Sequence, residues 1–307
     1  MKITVIGAGN VGAVTAQRIV NLELAREVVI LDVVDGMAQG KALDIYQSAP
    51  LVESDSRIIG TSSYEATADS DIVVITAGMA RRPGMSHDDL LIKNAEIVRN
   101  VTRQIVERSP TCLLIIVSSP LDEMTYVALE ASGFDRSRVL GMAGVLYAAR
   151  LKTFIAMELD VAVEDVEATV LGGHTNDMLP IIRYATVAGI PVSQLMSPER
   201  SQAIVERTRN AGNEIIEHLR TGSAFYAPSA AVVSMIEAIV RDKPRIMPCA
   251  VRLNGEYGLK DVVLGVPVKI GRNGVRQIIE LELLDDERTV LEHSAQMIRR
   301  NLAKLSL

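Results

Sequence analysis

The chain has 307 residues, 48% of them hydrophobic and 23% charged, with 32 Lys and Arg against 38 Asp and Glu. At roughly 150 residues per domain, this length predicts two domains or one large one with a substantial core, and the composition excludes disordered and collagen-like chains. A formal net charge of −6 offers no general attraction to nucleic acid or anionic lipid, so small molecules are the expected partners.

In chain order, the first half alternates short β-branched runs with helical stretches. Ile3–Ile6, Val28–Leu31, Asp71–Ile75 and Leu113–Val117 read as strands buried on both faces of a parallel sheet. Val11–Leu24 and Leu90–Glu107 have the length and polar faces of crossover helices. This pattern predicts an α/β fold with a doubly wound parallel sheet over residues 1–143. From residue 144 to 307 a second, mixed α/β substrate domain is expected. Its elements are a helix over Val145–Glu158, a strand over Val166–Leu171, and helices over Ser201–Arg220 and Ala230–Ile239. Arg245–Leu253 and Val262–Ile270 then read as antiparallel strands, punctuated by Asn254-Gly255 and by the turn from Gly271 to Gly274. A last helix gathers Leu291, Ala295, Ile298, Leu302 and Leu305 into one apolar stripe.

Cys112 and Cys249 are far apart and belong to no metal-binding pattern, so neither a metal site nor a disulfide framework is expected, and a reducing cytoplasm fits best. The first residues run directly into a strand without a signal-peptide pattern. The longest apolar run, near Cys112–Val117, is too short to cross a bilayer, so no membrane role is expected.

Gly7-Ala8-Gly9-Asn10-Val11-Gly12 has the G-x-G-x-x-G form at a strand-to-helix junction, and Asp32 ends the next strand twenty residues beyond Gly12. Gly7 permits a tight turn, Gly9 close approach of a diphosphate and Gly12 close helix–strand packing, while the helix N-terminus offers N–H groups and partial positive charge. A carboxylate at Asp32 can accept hydrogen bonds from ribose hydroxyls and would repel a 2′-phosphate. NAD is therefore expected over NADP. The alternative, that Asp32 only starts the turn to Gly36, is the weaker reading beside the glycines. Further on, Thr76–Leu90 follows a strand at its carboxyl end and carries Arg81, Arg82, Pro83 and Gly84, which suits a lid with an arginine that clamps a carboxylate.

Together with Gly172-Gly173-His174, Ala143–Leu146, Gly222–Pro228, Gln39–Asp44, Pro120-Leu121-Asp122 and Gly265–Val268, these segments resemble the malate dehydrogenases of the lactate/malate dehydrogenase family over essentially the whole chain. The resemblance implies an NAD domain plus a substrate domain and a reversible hydride transfer between malate and NAD, giving oxaloacetate and NADH, a tricarboxylic acid cycle reaction. It also implies a dimer or a tetramer. Arg81 stands where the family selects a dicarboxylate, Arg150 where it anchors the carboxylate next to the reacting carbon, and His174 where it has the general acid/base. Burying a second carboxylate without a cation is costly, so Arg81 argues for malate over lactate. Cofactor contacts are implied for Gly7, Gly9, Asn10, Val11, Gly12, Asp32, Thr76, Ala77, Gly78, Asn94 and Val117, and a substrate contact for Ser223.

Five positions depart from the family pattern. His87 replaces a second loop arginine, and an imidazole lacks the guanidinium's fork of donors. Tyr147 stands where an aspartate orients the catalytic histidine; a phenol can hydrogen-bond to His174 but carries no compensating charge. Ser119 replaces an asparagine before Pro120, and Thr175 and Asn176 replace glycine and aspartate. Two readings follow: a malate dehydrogenase working with an altered histidine environment, or an NAD-binding member with little or no turnover, natural or engineered. A third, turnover of a different 2-hydroxy acid, is opposed by Arg81. His218 and His293 lie in charge-rich helical stretches and read as surface residues.

Overall fold

The computed structural model describes residues 1–79, 85–174 and 177–305. The first half contains β1 (Lys2–Ile6), α1 (Asn10–Asn21), β2 (Glu27–Leu31), α2 (Met37–Ser48), β3 (Arg57–Thr61), β4 (Ile72–Ile75), α3 (His87–Arg108), β5 (Leu113–Ile116), α4 (Leu121–Ser132) and β6 (Val139–Gly141). The six strands are parallel neighbours in the order β3-β2-β1-β4-β5-β6, the doubly wound arrangement. Successive residues of each central strand feed opposite faces. Ile3, Val5, Val28, Ile30, Ile72 and Val74 pack with Ile19 of α1, while Ile6, Leu31, Val73 and Ile75 pack with Val98 and Ile105 of α3. This two-sided burial is why the strands read as continuous apolar runs.

The second half contains α5 (Gly144–Leu159), β7 (Val166–Glu167), β8 (Val170–Leu171), β9 (Leu179–Pro180), β10 (Thr186–Val187), β11 (Ile190–Pro191), α6 (Pro198–Leu219), α7 (Tyr226–Val240), β12 (Arg245–Asn254), β13 (Lys260–Gly271), β14 (Gly274–Ile278) and α8 (Asp285–Leu302). One expectation is corrected here. Val166–Leu171 is not one strand: β7 pairs with β10, and β8 with β9, in separate small sheets. The second half also does not keep its long strands to itself. β12, β13 and β14 extend the first sheet to nine strands, joined where Ala250 of β12 meets Gly141 of β6. Gly141 makes that junction sterically feasible, since a Cβ there would lie 2.9 Å from the Ala250 Cβ and 2.5 Å from the Thr125 Oγ1. A satellite core remains, with Leu151 and Ile155 of α5 packed on Val166, Val170, Met178 and Ile204.

The other strands and helices read from the sequence recur with ends shifted by a few residues, and the stripe of α8 is buried at Leu291, Ala295, Ile298 and Leu302. The edge strand β3, helices α2 and α4, and the short β6 and β14 were not separated by pattern. β3, for example, alternates exposure too irregularly to announce itself. Cys112 and Cys249 are buried free thiols, and burial pushes both up to about 12. Among the described residues no helix is long and apolar enough to cross a membrane, and no group of three His, Cys, Asp or Glu is placed to hold a metal.

Candidate active site

The glycine-rich turn joins β1 to α1 at the point where the strand order reverses, the place where doubly wound sheets bind ligands. Gly7 adopts φ +102°, which L side chains rarely tolerate. A Cβ on Gly12 would lie 1.9 Å from the Gly7 carbonyl oxygen, so helix and turn meet only because that atom is missing. The Thr76 hydroxyl donates to the Ile6 carbonyl at 2.9 Å and braces the turn from β4. Gly9 differs: nothing lies within 4 Å of its would-be Cβ, and no side chain caps the helix that begins with Asn10 and Val11. The N–H groups of that first turn therefore face an open approach, which fits a diphosphate.

Ala8, between the two glycines, is held from both sides. Its N–H donates to the Asp32 carboxylate at 2.6 Å, and its carbonyl accepts from the Lys41 ammonium at 2.6 Å. Asp32 also accepts from the Val34 N–H at 2.9 Å, so it starts the following turn as well as lining the cleft. The cleft has a volume of about 440 Å³ and is bounded by Gly7, Gly9, Asp32, Thr76, Ala77 and Gly78, with Tyr64, Ile97 and Val101 forming an apolar wall. Lys41 was quoted in the sequence only as part of a motif. Its role in holding the loop had no local signal, because α2 is set against the loop by packing.

Asn94 of α3 is buried, and its amide is committed to backbone groups. It accepts from Met79 N–H at 2.7 Å, donates to the Met79 carbonyl at 3.3 Å and to the Ser119 carbonyl at 2.7 Å. It thus ties the segment after β4 to the segment after β5. Val117 continues the sheet pairing through its N–H to the Ile75 carbonyl at 2.9 Å, and Ser119 is exposed before a cis peptide to Pro120.

Three residues beyond Ser119, Asp122 lies in the first turn of α4 and is buried. One oxygen of its carboxyl accepts the backbone N–H of His174 at 2.6 Å. The cofactor cleft and the histidine are therefore linked by contacts through Met79, Asn94, the Ser119 segment and Asp122. His174 follows β8 and Gly172, which adopts φ +89°, and the Gly172 carbonyl is bound by the Gly265 N–H. From α5, Tyr147 presents its ring to the imidazole with centroids 4.9 Å apart and planes tilted by 49°, and the Arg150 guanidinium carbon lies 5.5 Å from the Tyr147 ring centre.

The hydrogen bond that the Tyr147 phenol could make to His174 is not formed. The contact is ring to ring, and among the described residues the buried His174 Nδ1 has no hydrogen-bond partner, nor have the Arg150 Nε and the second oxygen of Asp122. Burial, and then the Arg150 charge, hold the imidazole down at about 4. Burial, reinforced by Glu123, pushes the Asp122 carboxyl well above the usual carboxylate range. The Tyr147 phenol is pushed up by burial, and the Arg150 guanidinium is lowered by burial.

Of the remaining expected residues, His87 is the exposed first residue of α3, next to the capping box formed by Ser86 and Asp89, and Ser223 is exposed before α7. Arg81, Thr175 and Asn176 lie outside the described residues. Asp122 is the residue that site reasoning from sequence missed. Its partner is 52 positions away, and no spacing rule links them.

A dinucleotide cleft at the switch point, joined by contacts to a buried imidazole and guanidinium, defines the NAD-dependent dehydrogenase class of doubly wound proteins. Comparison narrows this class. Residues 1–141 match the NAD binding domain and residues 145–306 the alpha/beta C-terminal domain of lactate/malate dehydrogenase, and the chain belongs to that family. A malate dehydrogenase of Chloroherpeton thalassium is 58% identical over 306 residues, covering 100% of this chain and 99% of that protein. The structure of a malate dehydrogenase from Salinibacter ruber superposes with a TM-score of 0.95 at 53% identity, over 99% of this chain and 97% of that one. A lactate dehydrogenase from Cryptosporidium parvum, complexed with lactic acid and nicotinamide adenine dinucleotide, superposes with a TM-score of 0.94 at 38% identity, over 98% and 96% of the two chains. The backbone alone therefore does not separate lactate from malate chemistry. Substrate choice rests on side chains.

Proposed function

We propose that the protein is an NAD-dependent malate dehydrogenase, interconverting malate with oxaloacetate. The observation that carries this reading is the pairing of the His174 imidazole with the half-buried Arg150 guanidinium, whose Nε has no partner among the described residues, joined by contacts to the dinucleotide cleft. Residues 1–143 supply the cofactor cleft and residues 144–307 most of the substrate pocket. NAD, held by the turn at Gly7, Gly9 and Gly12 and by Asp32, supplies the hydride acceptor when bound.

In this reading Arg150 binds the carboxylate next to the reacting carbon, and Arg81 binds the distal one. Both are charge-assisted contacts with fork geometry. His174 takes the hydroxyl proton of malate and returns it during the reverse reaction. With its protonation held down at about 4, it is neutral and ready to accept at neutral pH, while the protonated form needed for oxaloacetate reduction is scarce. His87 and Ser119 border the reacting carbonyl with fewer donors than an arginine and an asparagine, and Ser223 adds a substrate contact from the loop before α7.

The cytoplasm, a place in the tricarboxylic acid cycle and a homo-oligomer, dimer or tetramer, complete the proposal. Exposed Leu43 and Tyr46 on α2 and Leu51 beyond it support assembly with further copies. The contact of the Tyr147 ring with the imidazole supports the second reading, an NAD-binding member without turnover. Oxidation of NADH by oxaloacetate, assayed beside NADH binding, decides between them. Turnover of oxaloacetate in preference to pyruvate or a branched oxo acid upholds the proposal, and binding without turnover sinks it.

A further inference from the structure

We propose that Asp122 is a positioning residue for His174, orienting the ring through the backbone and supplying from α4 the carboxyl group that α5 does not present. The inference rests on the malate dehydrogenase reading for the turnover measured in its kinetic arm and for the dicarboxylate bound in its spectroscopic arm. One Asp122 oxygen is fixed 2.6 Å from the His174 backbone nitrogen. The other oxygen of the same carboxyl is buried with no hydrogen-bond partner among the described residues, and so is the His174 Nδ1. Two orphaned polar atoms on directly bonded residues each carry a desolvation penalty that one new hydrogen bond between them would remove.

The groups around the pair define the electrostatics. Glu123 on α4 adds negative charge beside Asp122 and donates no hydrogen bond to it; its own carboxyl is engaged by the Asn301 amide of α8 at 2.6 Å. Tyr147 and Arg150 face the pair from α5, and the phenol stays neutral at neutral pH because burial raises it. Arg150 disfavours a cation on His174. When the imidazole takes the hydroxyl proton at one nitrogen, the resulting cation has one described carboxyl group bonded to its own residue, that of Asp122. With the carboxyl held on the His174 N–H, reorientation of the ring is what would bring Nδ1 to the free oxygen. The Nδ1 proton is then held by that oxygen while the other nitrogen exchanges protons with substrate, so that no further oxidant or reductant enters the step.

The test pairs kinetics with spectroscopy. Asp122→Asn keeps the shape of the side chain and removes the carboxyl group. It is expected to lower kcat for oxaloacetate reduction by about tenfold or more with NADH affinity unchanged, whereas in a Tyr147→Asp background the same substitution costs less than about threefold, because the new carboxylate already serves the ring. Equal losses in both backgrounds overturn the proposal, since a merely structural role is additive. The second arm requires neither turnover nor a folded variant. In the unsubstituted protein with 15N-labelled histidine, saturated with NADH and a non-reacting dicarboxylate, a strongly deshielded His174 Nδ1 proton is expected; its absence overturns the assignment. Absence of turnover with that resonance present would sink the enzymatic reading and leave the Asp122–His174 pairing intact.

Discussion

The Ala8 peptide and the His174 side chain lie at the two ends of one site and are held in opposite ways. Ala8 has both backbone groups satisfied by charged side chains, Asp32 on one side and Lys41 on the other, and Gly7 before it is closely packed against Thr76 and Ala77. Among the described residues His174 is held by a hydrogen bond to its backbone, and its Nδ1, the Arg150 Nε and one Asp122 oxygen are buried without partners. The cofactor end is thus organised before any ligand arrives. The substrate end keeps polar atoms unpaired at a cost of roughly 1–3 kcal/mol for each such group, a cost that an incoming diacid can offset at the Arg150 Nε by supplying an acceptor. Affinity for the dinucleotide should therefore depend on backbone sterics, and turnover on buried charge.

Substitutions at each end break or sharpen this contrast. The largest effect is expected from His174→Asn, which should lower kcat by about 10³-fold or more while NADH fluorescence titration shows an unchanged Kd. A parallel loss of NADH binding would mean the two ends are not separable. Next, Gly12→Ala drives a methyl into the Gly7 carbonyl and should weaken NADH binding by about 100-fold and lower Tm, whereas Gly9→Ala meets open space and should keep Tm while costing about tenfold in affinity. Equal Tm losses in the two variants would refute the reading of Gly9 as a ligand-facing position. Tyr147→Asp combined with His87→Arg returns a carboxylate to the imidazole and a guanidinium to the loop, and should raise oxaloacetate turnover by about tenfold or more. An unchanged rate would show that neither position limits the chemistry.

Two pH measurements probe the substrate end further. With His174 held at about 4, kcat/KM for oxaloacetate reduction should climb about tenfold per unit as pH falls from 8 toward 5, with no plateau near 6.5. A plateau there would mean that the imidazole is solvated. The smallest effect concerns stability. Because the folded imidazole takes up its proton only at lower pH than the unfolded one, the unfolded state binds more protons between pH 6.5 and 4, and stability falls with falling pH. The His174 share should be about 1–2 kcal/mol between pH 7 and 5, and it should vanish from the unfolding curves of His174→Asn.

How legible each end was follows from the same contrast. The turn from Gly7 to Gly12 and the carboxylate at Asp32 were readable because a tight turn, a close backbone approach and a strand end are demands on neighbouring residues. His174, Arg150 and Tyr147 were found through family resemblance, and their mutual arrangement was only partly anticipated: the phenol meets the imidazole by its ring and not by its hydroxyl. Asn94 was expected beside the cofactor, yet its amide braces Met79 and Ser119. Nothing in the local pattern around Asp122 or Lys41 announced a partner, since each reaches a residue more than thirty positions away.

By itself the sequence determined the alternation of buried strands and crossover helices, the glycine turn and the stripe of α8, because each is a periodic or steric property of a short stretch. Only the tertiary structure decided that β12–β14 join the first sheet at Gly141, that Asn94 links the two loops, and that Asp122 holds His174. These depend on which surfaces meet once apolar faces are buried. That burial is non-directional, so it drives the elements together without encoding in any one of them the partner it will find.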